Sequence, residues 1–184
     1  ATGDGIVNSG NISTATGAAI LVDGSNAGSI DNASTTSTLA SAQADGILVR
    51  VNNSRTINNN GSIGTNVAGV IARVGGDGIE VGGSNSGTIS TGTSSRIYST
   101  GNGIVVGAAN SGSNSGTIIT RGLVDAGVAG TPGAADANGI KVAGANNGTA
   151  LARAFITNDS TSVILATGDG IQVGSNGTYG TITN

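Results

Sequence analysis

A five-residue phrase returns along this chain with different words between the copies. The pattern (D/N)-G-I-x-V occurs at Asp45–Val49, Asp77–Val81, Asn102–Val106, Asn138–Val142 and Asp169–Val173. Asp4-Gly5-Ile6 opens the series, and Ala19-Ile20-Leu21-Val22 is a degenerate member. A second phrase, N-x-G-(S/T)-I, follows at Asn26–Ile30, Asn85–Ile89 and Asn114–Ile118, with near matches at Asn53–Ile57 and Asn146–Ala150. Internal repetition at this spacing is the signature of a stacked architecture, so it takes precedence over every other reading.

The spacing between the two phrases carries the argument. Ile20 to Ile30, Ile47 to Ile57, Ile79 to Ile89 and Ile140 to Ala150 are each ten residues apart. Ile6 to Ile12 reads as a compressed pair, and Ile104 to Ile118 as a pair stretched by the insertion "GSNS". The interval from one G-I anchor to the next varies instead from 14 to 36 residues. A corner of two strands is kept while the rest of each unit changes length, as solenoids allow when insertions become loops.

The units are strands. Ile79-Glu80-Val81 and Ile140-Lys141-Val142 alternate with period two, which places Ile and Val on one face and the charge on the other. β-Branched residues dominate these pulses, and glycines flanking them permit turns with positive φ. No stretch sustains a helical period. A three-residue strand with one apolar face buries nothing alone, but stacking successive coils about 4.8 Å apart pairs each strand with its counterparts above and below. The expected fold is therefore all-β: a right-handed parallel β-solenoid of about seven irregular coils, one domain over residues 1–184, handed by the rule for parallel crossovers.

Stacking puts like residues over like. A Thr/Ser column is expected through Ser29, Thr56, Thr88, Thr117, Thr149 and Thr181. Asn26, Asn53, Asn85, Asn114, Asn146 and Asn176 are expected to form an amide ladder at a corner. Tyr98 and Phe155 are read as fillers of widened coils, and "VDAGVAGTPGAADAN" (124–138), with the one proline, as the clearest insertion and the place for recognition.

Composition narrows the function classes. Glycine supplies 34 residues and charged residues only 9%, yet 36% are hydrophobic and the net charge is −3, which argues against disorder. The seven basic residues are scattered and three aromatics are present, so no nucleic-acid partner is expected. No apolar run is long enough to cross a membrane as a helix, and no membrane insertion is expected. Without His or Cys, histidine-based catalytic triads, His-ligated zinc, thiolate metal sites and disulfides are excluded.

The D-G-I-x-V and N-S-G-T-I phrases, set in sequence rich in Gly, Ala, Ser, Thr and Asn, resemble passenger domains of bacterial autotransporters and related β-helical adhesins. The resemblance covers essentially the whole chain. It implies secretion to the bacterial cell surface and a role as adhesin or stalk. Neither end carries a recognisable cap. The end coils, residues 1–22 and 163–184, are thus expected to meet a second copy head to tail or neighbouring domains of a longer chain. A host or cell-surface glycan is a further candidate partner.

No catalytic, cofactor-binding or metal-binding residues are assigned. The acids are Asp4, Asp23, Asp31, Asp45, Asp77, Glu80, Asp125, Asp136, Asp159 and Asp169. Asp45, Asp77 and Asp169 share one corner position with Asn102 and Asn138, an exchange that points to turn chemistry. Two alternatives stay open: a polysaccharide-binding or polysaccharide-cleaving β-helix, which needs two close carboxyls, and a calcium-stabilised adhesive module built at the Asp corners.

Overall fold

The computed structural model describes residues 5–109, 111–128 and 137–184. Its path is a repeating triangle of short strands. β1 (Ile6–Asn8), β2 (Asn11–Thr14) and β3 (Ile20–Val22) make the first turn, and β4 (Ile30–Asn32), β5 (Thr38–Ser41) and β6 (Ile47–Val49) the second. The third turn holds β7 (Thr56–Asn59) and β8 (Ser62–Ile63), then leaves the stack through β9 (Thr65–Val67) and β10 (Val70–Ala72) before returning to β11 (Ile79–Val81). β12 (Thr88–Thr91), β13 (Arg96–Ser99) and β14 (Ile104–Val106) form the fourth, and β15 (Thr117–Thr120), β16 (Leu123–Ala126) and β17 (Ile140–Asn146) the fifth. β18 (Ala154–Asn158), β19 (Val163–Ala166) and β20 (Ile171–Asn176) complete the sixth, and β21 (Gly180–Thr183) begins another.

Three parallel sheets run the length of the stack. The first face has seven strands, β1-β4-β7-β12-β15-β18-β21, and the second and third have six each. This is a parallel β-solenoid, as the repeat requires. The pentapeptide occupies the third face: Ile20, Ile47, Ile79, Ile104, Ile140 and Ile171 pair in register. The N-x-G-(S/T)-I phrase leads into the first.

Each strand turns one set of side chains inward. Ile30, Ile57, Ile89, Ile118 and Ile156 from the first face meet Leu39, Ile63, Ile97 and Val124 from the second and the Ile/Val pairs of the third in one buried cluster. Full burial of such a side chain stabilises by about 1.5–3 kcal/mol, and no single turn has enough of them to fold alone. Every described buried side-chain nitrogen and oxygen has a hydrogen-bond partner.

Several expectations are corrected. Ile6 does not belong with the pentapeptides: it pairs with Ile30 on the first face, and Ile12 lies on the second, in register with Leu39. The "compressed pair" is thus two different faces. The Thr/Ser column passes from Thr117 to Phe155 and then Thr181, not through Thr149. Asn146 keeps its corner, but the following residues form a turn closed by Thr149 and Ala152 bonding each other's backbone. Ile156, fully buried, then fills the core position in which Ala150 would leave a void. The stretch between Ile104 and Ile118 has its excess between Gly107 and Gly112, since Gly112 stacks on Gly83. Val124 and Ala126 are core-facing residues of β16, so the insertion begins later than residue 124. Residues 129–136, including Pro132, lie outside the described residues, as does Asp4.

Tyr98 and Phe155 also differ from expectation. Each follows or precedes an inward isoleucine and therefore points away from the core. Tyr98 is buried all the same, and Gly64, where the chain leaves the stack, lies against its Cβ and backbone oxygen. Gly64 adopts φ +75° where the chain leaves the stack, and Ala68-Gly69, at φ +51° and +84°, make the two-residue turn of the hairpin. The pentapeptide glycines, by contrast, have no positive φ among the described residues. Their reason is space: a Cβ on Gly78 would strike Ile97 Cγ2 and the Gly103 carbonyl of the next turn.

Candidate functional site

The three corners of the triangle are held by polar side chains that bond from turn to turn. At the corner between the third and first faces, the Nδ2 of Asn26, Asn53, Asn85, Asn114 and Asn146 each donates to the Oδ1 of the next member, ending at Asn176. The distances are 2.7–3.1 Å. The expected amide ladder is therefore present over all six residues.

A second ladder was not anticipated. At the exit of the first face Asn8 donates to Asn32 and Asn32 to Asn59. Thr91 and Thr120 continue the position, fully buried, and the Thr120 hydroxyl donates to Asn158, which donates to Asn184. Its signal lies in the residue two places after each first-face isoleucine, Asn or Thr in every copy.

The Asp/Asn positions before the pentapeptide glycines form the third column. Asp45 Oδ1 accepts the backbone N–H of Asp77 at 2.7 Å. Asp77 Oδ1 accepts the backbone and side-chain N–H groups of Asn102, Asn102 does the same for Asn138, and Asn138 accepts the N–H of Asp169. The turn chemistry read from the sequence is refined: these side chains bond the backbone of the following coil, so either Asp or Asn serves because only an accepting oxygen is needed.

Glu80 joins this column. It points outward from β11 three residues after Asp77, and one carboxyl oxygen each from Asp45, Asp77 and Glu80 lies within 4.8 Å of the others. Burial pushes the Asp45 and Asp77 carboxyls up from their ordinary range, against the lowering effect of the N–H groups they accept. Glu80 is pushed up to about 7, first by burial and then by the two aspartates. The trio can share a proton, or offer a cation the oxygens of three carboxylate groups, where calcium takes six to eight oxygens in all. Asp45 and Asp77 each commit one oxygen to the stack.

The other acids are dispersed. Asp125 meets Arg73 at 2.8 Å, with both side chains 15% exposed, and Arg73 also donates to the carbonyls of Asp125 and Ser99. That contact pins the base of the hairpin across two turns. Asp23 pairs with Arg50 in solvent, Asp31 accepts from Asn58, and Asp159 closes a turn on Thr161. Surface clefts of about 350, 320 and 220 Å³ are lined by the open sixth turn around Ile164 and Ile171, by Thr93–Arg96 with Thr161, and by Arg73 with Leu165. None of the three is lined by the acidic trio.

The outward side of the first face has a different character. From the third turn on, its strands carry Thr56 and Asn58, Thr88 and Ser90, Thr117 and Ile119, Phe155 and Thr157, and Thr181 and Thr183. No ionisable side chain stands in either column there. Phe155 is 38% exposed, and Tyr179, just before β21, is 37% exposed.

The fold and its corners define a class: a three-faced parallel β-solenoid with buried polar ladders. Comparison with protein families, with curated proteins and with solved structures finds no match to any of them.

Proposed function

We propose that this chain is a non-catalytic extracellular rod, the building unit of a bacterial surface fibre or the stalk of an adhesin. The observation that carries the reading is the continuity of the ladders. The amide ladder runs unbroken through six successive corners, and the side-chain bonds of the other two corners and the isoleucine columns add to it, so opening one turn breaks buried amide bonds together with core contacts. Such a rod resists proteolysis, because its backbone is paired along its length.

The ends support a role in assembly. Val7 at one end and Val163 and Leu165 at the other are more than half exposed, and the outermost strands present unpaired edges. The amide ladder is also polar. Among the described residues the Asn26 oxygen accepts only the Gly28 N–H of its own corner, and the Asn176 amide donates to the Gly180 carbonyl. Another coil, from a second copy or from a neighbouring part of a longer polypeptide, fits either end with the same pairing. Calcium and polysaccharide cleavage have no comparable support.

Electron microscopy of the 184-residue chain, with sedimentation at several concentrations, tests the reading. Rods are expected, either short and uniform or growing into filaments as concentration rises. Compact, non-elongated particles would sink it.

A further inference from the structure

We propose that the Asn147-Gly148 step is a site of spontaneous deamidation, where the chain converts one of its own side-chain amides to aspartate or to an isoaspartyl link. An asparagine followed by glycine is open to this reaction because no Cβ hinders approach of the following backbone nitrogen. The only co-reactant is water. The Gly148 nitrogen attacks Asn147 Cγ, gives up its proton and expels ammonia, which leaves a cyclic imide. Water then opens the imide at one carbonyl or the other. No electrons are gained or lost.

The sequence offers five Asn-Gly steps, and the fold withdraws four of them. The Gly61 N–H donates to the Asn32 carbonyl, Gly103 to Asn138, Gly139 to Asp169 and Gly177 to Asn146, at 2.9–3.2 Å. In each case the attacking nitrogen is tied to an adjoining turn, and reaction requires that turn to open first. Side chains add to the restraint: Asn102 and Asn138 are bonded along the third column, and Asn176 is bonded at the top of the amide ladder. The same lock recurs at the ladder's Asn-Ser steps, where the N–H groups of Ser54, Ser86 and Ser115 donate to the carbonyls of Asn26, Asn53 and Asn85.

Asn147-Gly148 is where the pattern fails. The fifth turn leaves its corner here through the irregular turn closed by Thr149 and Ala152. Among the described residues the Gly148 N–H has no acceptor and the Asn147 side chain makes no hydrogen bond, and Asn147 is exposed. Both reacting groups are therefore available without opening the stack. The product falls beside the ladder. Asn146 donates to Asn176 at 3.1 Å, the Asn147 N–H donates to the Asn114 carbonyl at 2.9 Å, and the Asn147 side chain lies against Gly177 of the last turn. An isoaspartyl link routes the backbone through the side-chain carbon and lengthens it, so the modification loosens the last turn and leaves the lower ladder bonded.

This site is independent of the rod reading. The purified chain is held at mildly alkaline pH, beside a second sample unfolded in urea, and both are followed by peptide mapping with mass spectrometry and by enzymatic methylation of isoaspartyl groups. In the folded chain Asn147 is expected to convert about tenfold or more faster than each of the other four Asn-Gly steps, which react only through local opening. In urea the five are expected to convert at comparable rates. Asn147→Gln should remove the fast phase and leave the melting curve unchanged. No conversion in the folded chain, equal or faster conversion at another step, a fast phase that persists in Asn147→Gln, or the same preference for Asn147 in urea would each overturn the proposal.

Discussion

Asn85 donates from Nδ2 to Asn114 Oδ1 at 2.7 Å, and both residues are fully buried. The pair sits mid-ladder, with Asn53 donating to Asn85 at the same distance. A buried amide is tolerated only when its groups are matched, and the vertical repeat supplies the match. Replacing Asn85 by Ala leaves Asn114 Oδ1 without its donor and opens a void. We expect a loss of about 2–4 kcal/mol. Asn176→Ala, at the exposed end of the same ladder, should cost under about 1 kcal/mol. Chemical denaturation of both variants makes the comparison; equal losses would mean that the ladder is not cooperative with the core.

Glycine at the pentapeptide is a packing requirement. Gly78→Ala drives a methyl into Ile97 and the Gly103 carbonyl, and backbone atoms cannot move aside cheaply. The expected cost is about 2–4 kcal/mol. Gly24, with open space around its Cα, provides the contrast. Gly24→Ala should be neutral or stabilising by up to about 1 kcal/mol, through the unfolded chain. Thermal melts of the two variants separate space from conformation.

The Arg73–Asp125 pair is the clamp on the hairpin. Removing one partner of a largely buried ion pair leaves the other uncompensated. Arg73→Ala is expected to destabilise by about 1–3 kcal/mol and to expose the 65–72 hairpin to protease before the rest of the chain. Limited proteolysis followed by mass spectrometry reads this directly. Cleavage that starts elsewhere would show that the hairpin is held by other contacts.

The acidic trio makes stability depend on pH in a defined direction. Folding raises the Glu80 carboxyl from the ordinary 4.5 to about 7, so the native chain keeps a proton that the unfolded chain has already released. The contribution is complete below the unfolded value and is lost as pH rises through about 7. Asp45 and Asp77, also raised, act in the same sense. The melting temperature should be lower at pH 8 than at pH 5. Glu80→Gln should gain on the order of 1 kcal/mol at pH 8, allowing for the screening of a half-exposed group, and should flatten the profile. Parallel profiles for wild type and variant would count against the trio.

Much of this architecture is local and therefore legible along the chain. Period-two alternation marks strands such as Ile79–Val81, and a stacked parallel sheet demands that a residue resemble those above and below it. The six-asparagine ladder and the Ile columns of two faces follow from that demand, because each copy announces the same position. The second face was harder to read. Its members, such as Leu39, Ile63, Ile97 and Val124, share a column but no phrase, and the loops beside them differ in length. Folding alone decided that Ile6 lies on the first face and that Phe155 takes the place expected for Thr149, since an isoleucine was needed to fill the core one residue later. It also brought Glu80 against Asp45 and Asp77, and Arg73 across two turns to Asp125. Residues 25 to 52 positions apart meet in these contacts, and variable insertions hide such distances from any fixed period. Repetition specifies what stacks on what; only closure of the coils specifies what stands beside it.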